Sequence, residues 1–174
     1  IQDFDGLILG VVAVHEDRKG HLYLFDSLSS IVRDSYSNSL PPFIVLVEGE
    51  GPNSSKLKDS VRRLGLEGVV KFIGTEHKIE NFIGNLDCLI LPSTHNEDFP
   101  NVILEAMSLG KPVIATNIAG IPDQIEENLT GFLVHPRDAD ALAAAIMRFV
   151  AEPSLVRFFG DAGRTRFERN FTKE

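Results

Sequence analysis

Short runs that are apolar at nearly every position alternate, from one end of the chain to the other, with longer segments in which apolar residues recur at helical spacing. The runs at 7–14, 43–48, 69–73, 88–92, 112–116 and 131–134 are predicted as strands. The segments at 20–35, 54–64, 78–85, 101–109, 121–127, 139–151 and 154–169 are predicted as helices. Continuous rather than alternating apolarity is what a strand shows when helices cover both of its faces. The expected fold is therefore an α/β, Rossmann-like doubly wound sheet of six parallel strands with right-handed crossovers and the nucleotide-type strand order. Local residues agree with these boundaries. Asp138 and Ser154 are predicted N-caps, Gly110 is placed for a left-handed C-cap, and Pro112 forbids continuation of the helix before it. In 139–151 the residues Leu142, Ala145, Ile146, Phe149 and Val150 form one stripe, predicted to face the sheet. No internal repeat, low-complexity tract or linker interrupts the alternation, so 1–174 reads as a single domain.

Composition narrows the function. The chain of 174 residues is 43% hydrophobic and 24% charged, which excludes disordered and collagenous classes. Seventeen basic against twenty-five acidic residues leave a net charge of −8, which argues against a surface that tracks duplex nucleic acid but leaves room for one local anion site. No apolar run approaches the ~20 residues of a membrane helix, and no signal segment is present, so no transmembrane segment is expected. The single Cys88 lies in an apolar run; it is expected to be a buried structural thiol, in a reducing, cytoplasmic setting. His15, His21, His77, His95 and His135 have no spacing that joins them into a metal site. His95 alone lies beside the expected cleft. Ser93 has neither a base nor elbow glycines, so hydrolase chemistry is not expected.

In a doubly wound sheet, ligands bind beyond the carboxyl ends of the strands. The loop and helix after 88–92 carry the most chemistry there. Pro100 suits the first turn of a helix, and the free amides from Asn101 onward form an anion site backed by the helix dipole. Val102, Ile103, Ala106 and Met107 make the buried face, while Asn101 and Glu105, four apart, share a flank away from it. A carboxylate at Glu105 suits sugar hydroxyls better than phosphate, and Glu97 in the loop can reach a second polyol. The alternative is that Glu97 and Asp98 merely favour the helix N-terminus and that Glu105 is solvated surface.

These residues resemble a known family. Pro92-Ser93, Glu97 with Asp98, Phe99, Pro100 and Asn101, then Glu105-Ala106-Met107, Gly110-Lys111-Pro112-Val113-Ile114-Ala115-Thr116, Gly120-Ile121-Pro122 and Thr130-Gly131-Phe132-Leu133-Val134 look like the donor-binding half of the family 4 glycosyltransferases. Residues 12–20 resemble that family's first strand and Lys-Gly turn, Glu48-Gly49-Glu50-Gly51-Pro52 its glycine turn, and Phe72-Ile73-Gly74 the end of its third strand. The resemblance covers nearly the whole chain. It implies one half of a GT-B fold, the C-terminal domain of a retaining enzyme whose N-terminal acceptor domain lies outside an excised 1–174; the chain opens on Ile1 rather than Met.

The same resemblance implies roles. Lys19 would hold the donor diphosphate and Glu97 would contact the transferred sugar; the charge of the arginine that position 13 lacks is left to Arg18, to another group, or to none. Glu105 would hold the ribose hydroxyls. Phe99, Pro100, Asn101 and Val102 would lie near sugar and phosphate through their main chain, and the base would lie along the main chain near Ile73. Gly49 and Gly51 allow close approach of backbone to ligand or simply shape a turn. The implied partners are a nucleotide diphosphate sugar and, through the missing domain, a glycan, lipid or other acceptor. Any attachment to the cytosolic membrane face would also belong to that domain. No metal or other cofactor is expected. Two positions depart from the family pattern: Ala13 stands where an arginine is frequent, and Ala119 where the first glycine of a Gly-Gly-Ile-Pro turn is frequent. Ala13 keeps open a non-catalytic nucleotide-sugar sensor. A dehydrogenase-type nucleotide domain is the weaker alternative, because the first strand is not followed by its glycine fingerprint.

Overall fold

A computed structural model describes residues 4–35, 41–76 and 78–172, so His77 lies outside the described residues. Six strands, β1 (Leu7–Val12), β2 (Phe43–Glu48), β3 (Val70–Gly74), β4 (Cys88–Leu91), β5 (Val113–Thr116) and β6 (Gly131–Val134), form one sheet in the order β3-β2-β1-β4-β5-β6. Every pairing is parallel. The helices are α1 (His21–Ser35), α2 (Ser54–Arg63), α3 (Ile79–Gly84), α4 (Asn101–Ser108), α5 (Ile121–Gln124), α6 (Ala139–Ala151) and α7 (Ser154–Asn170).

The uninterrupted apolar runs have the predicted cause. Successive side chains of a strand point to opposite faces, and here both faces are covered. Leu9, Val11, Val45, Val47, Cys88 and Ile90 join Leu24, Phe25 and Leu28 of α1, Leu57 and Val61 of α2 and the predicted α6 stripe in one core. Ile44, Leu46, Leu89 and Leu91 join Phe82 and Ile83 of α3 and Ile103, Ala106 and Met107 of α4 in the other. The α7 helix packs on both α4 and α6, placing Phe159 in the first core and Phe167 against the second. The Cys88 thiol is buried and donates to the Leu89 carbonyl at 3.4 Å, and burial pushes its pKa well up.

The Asp138 carboxylate caps α6 by accepting from the Ala141 amide at 2.8 Å. Ser154 is not a cap: it is the first helical residue of α7, and Pro153 precedes it without a side-chain cap bond. Pro100 likewise sits one place earlier than expected, in extended conformation just before α4. Gly110 adopts the left-handed conformation expected after a helix, at φ 66°. The α5 helix stops at Gln124 instead of 127. Strand β1 ends two residues before 14, yet its hydrogen bonding continues: the Ala13 amide donates to Glu48 and the His15 amide to Glu50.

Candidate functional site

Strand order places the site. Chain connections leave β1 and β4 toward opposite wings of the sheet, so their loops part at a crevice above the carboxyl ends, the topological switch point. The β1 loop turns through a short 3-10 segment, Asp17–Lys19, ended by Gly20 at φ 74°. A side chain at Gly20 would put its Cβ 1.8 Å from the Pro92 carbonyl oxygen of the β4 loop, so only glycine lets the two loops lie this close. They are then joined along their length. The Arg18 carbonyl accepts from the Thr94 amide at 2.7 Å and the Thr94 hydroxyl at 3.3 Å, and the Arg18 guanidinium donates to the Asn96 carbonyl at 3.2 Å.

The outcome is a charged cluster at the crevice. The Lys19 ammonium donates to Glu97 Oε1, and Ser93 Oγ donates to the same oxygen at 2.7 Å. The Arg18 guanidinium lies 3.9 Å from that oxygen while its Nε pairs with Glu16 at 2.7 Å. Glu97 and Ser93 are buried and Lys19 is largely buried, so the ion pair sits below the surface with its partners pre-aimed. Immediately after it, α4 begins. The Ile103 amide returns to the Pro100 carbonyl, and among the described residues the amides of Asn101 and Val102 have no partner. Two free donors at the positive end of a helix, in the loop that carries the Lys19–Glu97 pair, suit an anion. Phe99 is exposed at the same loop, and Asn101 is exposed at the helix start. One turn along, Glu105 is half-buried, and its carboxylate has no partner among the described residues. Val102 is half-buried against the core.

The β2 and β3 ends form the other wing. The register runs Val47 to Phe72 and then Glu48 to Gly74, so Ile73 is a bulged residue with no counterpart on β2. It is exposed and lines a groove of about 600 Å³ with Glu76, Asn81 and Asn85. Glu48 is buried, its pKa raised by burial, and it accepts from the Glu76 amide at 2.9 Å, which fixes the turn after β3. Gly49, at φ 117°, is required by packing: a Cβ there would come within 2.2 Å of the Ala13 carbonyl oxygen. Ala119 is held at φ 47°, the left-handed region where a glycine costs least, which explains why the departure from the Gly-Gly-Ile-Pro pattern matters locally.

Two histidines lie under the rim. His15 and His21 are buried, with ring centroids 5.1 Å apart, and His15 Nδ1 meets Ser54 Oγ at 2.8 Å. Burial, with Lys19 nearby, draws the pKa of His21 down to about 4, and burial lowers that of His15. His95 is exposed, against Thr94 Oγ1 at 2.8 Å. Among the described residues no group of three or more His, Cys, Asp or Glu is placed to hold a metal ion, and no helix is long and apolar enough to cross a membrane.

The structure thus brings Arg18, Lys19 and Glu97 together, sets Phe99, Pro100, Asn101 and Val102 directly behind them, and leaves Ile73 on the opposite wing. Sequence reasoning missed Ser93 and the 3-10 turn. The spacing of four between Ser93 and Glu97 is the signal the sequence offers for that contact.

Residues 3–166 match the family described as glycosyl transferases group 1. The capsular polysaccharide biosynthesis glycosyltransferase CapM of Staphylococcus aureus is 32% identical over 98% of this chain and 43% of its own length. A D-inositol 3-phosphate glycosyltransferase of Streptomyces avermitilis is 32% identical over 76% of this chain and 29% of its own. The Anabaena protein Alr3699/HepE, solved in complex with UDP, superimposes with a TM-score of 0.85 at 26% identity, over 96% of this chain and 45% of that one. The chain spans less than half the length of these relatives. Fold, crevice and similarity agree: the chain belongs to the glycosyl transferases group 1 family and has the architecture of the C-terminal domain of a GT-B enzyme.

Proposed function

We propose that this domain binds a nucleotide diphosphate sugar and that the protein containing it transfers the glycosyl group, with retention at the anomeric carbon, to a glycan, lipid or other acceptor held by an N-terminal domain. The observation that carries the reading is the meeting of Lys19, Arg18 and Glu97 at the switch point, next to the unpartnered amides that open α4. In this reading Lys19, Arg18 and the Asn101 and Val102 amides take the charge that develops on the departing diphosphate. Arg18 supplies the second cation that Ala13 does not. The carboxylate of Glu97 accepts from a hydroxyl of the transferred sugar, and Glu105 accepts from the ribose. The bulged main chain at Ile73 offers the base an unpaired peptide edge. The UDP complex of the Anabaena protein and its complex with UDP-glucose favour a UDP-type donor. No step here requires a divalent ion, and the free Cys88 thiol suits a cytosolic reaction.

Calorimetric titration with UDP, UDP-sugars and GDP-sugars tests the reading, repeated on Lys19→Ala and Glu105→Ala. A charge-assisted hydrogen bond is worth about 1.5–3 kcal/mol, so each variant is expected to lose roughly tenfold or more in affinity. Unchanged affinity in both ends the assignment. The full-length protein assayed with labelled donor separates transfer from the sensor function that Ala13 raises: binding without transfer or hydrolysis favours the sensor.

A further inference from the structure

We propose that Ser93 is a positioning residue for the sugar-facing carboxylate, selecting which oxygen of Glu97 is offered to ligand. The inference rests on the donor-binding reading above and deepens it. Ser93 is fully buried, and its hydroxyl donates to Glu97 Oε1 at 2.7 Å. The Lys19 ammonium donates to that same oxygen. The second oxygen, Oε2, has no donor among the described residues, so one acceptor is occupied and the other is free. A terminal carboxylate torsion is soft, and a flexible lysine restrains it from one direction only. The short serine, anchored to the main chain, supplies the second direction.

The anchor itself is fixed from the neighbouring strand. Thr116 at the end of β5 is buried and donates its hydroxyl to the Ser93 carbonyl at 2.6 Å. On the other side, the Pro92 carbonyl presses on Gly20. The serine backbone is thereby held between the end of β5 and the loop after β1, and its one proton is committed to Glu97. An ionised carboxylate oxygen with both lone pairs open accepts hydroxyl donors and rejects further acceptors. The free oxygen therefore serves a hydroxyl donor, and with Glu105 taking the ribose that donor is the transferred sugar.

That division gives the test. UDP and UDP-glucose are titrated into the wild-type chain and into Ser93→Ala, and ligand-free crystal structures of both are determined. The variant is expected to bind UDP-glucose about tenfold more weakly and UDP within twofold of wild type, with the Glu97 carboxylate rotated from its wild-type orientation about the Lys19 contact. Equal losses for both ligands would show that Ser93 merely supports the loop, and no loss for either would show that it does nothing; each overturns the proposal. A wild-type chain that binds neither ligand would instead refute the donor-binding reading. The ligand-free structures then decide on Ser93 alone: a carboxylate unmoved in Ser93→Ala overturns the proposal, and a rotated one upholds the positioning.

Discussion

Replacing Lys19 by methionine removes the ammonium while keeping much of the side chain's bulk, and so isolates the ion pair at the crevice. Glu97 has 8% of its side chain exposed and Lys19 has 14%, so water cannot replace the lost partner freely. Breaking a fully buried pair from one side costs about 3–5 kcal/mol because a charge is stranded. Here Ser93 still donates to Glu97 at 2.7 Å and Arg18 remains 3.9 Å away, which places the expected cost nearer 2 kcal/mol. Glu97→Gln in the Lys19→Met background removes the stranded charge and is expected to recover most of that loss. The assay is a double-mutant cycle read by urea unfolding at pH 7, with the four midpoints converted to free energies at a common slope. A coupling of about 2 kcal/mol between positions 19 and 97 is expected. Coupling below about 0.5 kcal/mol would refute the reasoning, because two side chains that share one buried hydrogen bond cannot act independently.

Other consequences follow from the same contacts. Gly20→Ala forces a Cβ into the Pro92 carbonyl and an alanine into left-handed conformation; destabilisation of about 2–4 kcal/mol is expected in urea unfolding, and an unchanged midpoint would show that the loops separate freely. His21 has a folded pKa near 4, below the 6.5 of an exposed imidazole, so the unfolded chain takes the proton first as pH falls. Its contribution is complete above pH 6.5 and is lost between 6.5 and 4, by about 3 kcal/mol if fully expressed. Unfolding series at pH 7 and 4.5 should show a smaller pH loss for His21→Leu than for wild type; equal losses would place the acid sensitivity elsewhere. Asp138→Ala removes the cap on the Ala141 amide and is expected to cost about 1 kcal/mol, read as a lower thermal midpoint with no change in nucleotide binding.

The hydrophobic pattern by itself determined the strands, the helices and the doubly wound order. Burial on two faces leaves continuous apolar runs, and the α6 stripe can pack in only one direction. The pattern also placed Glu97, Pro100 and Glu105 on one loop and helix, since those relations are local. What it could not contain is the direct contact of residues 78 apart: Lys19 with Glu97, and Arg18 with Asn96, depend on Gly20 letting the loops after β1 and β4 touch. The contact of Ser93 with Glu97 is local in sequence, yet only the folded loop shows that the hydroxyl turns to that carboxylate. The bulge that frees Ile73 arises from β2 and β3 falling out of register, and neither strand's sequence shows it alone. Periodicity is set by each residue's own preference for water or core, whereas the binding crevice is a property of distances between segments, which exist only once the sheet has formed.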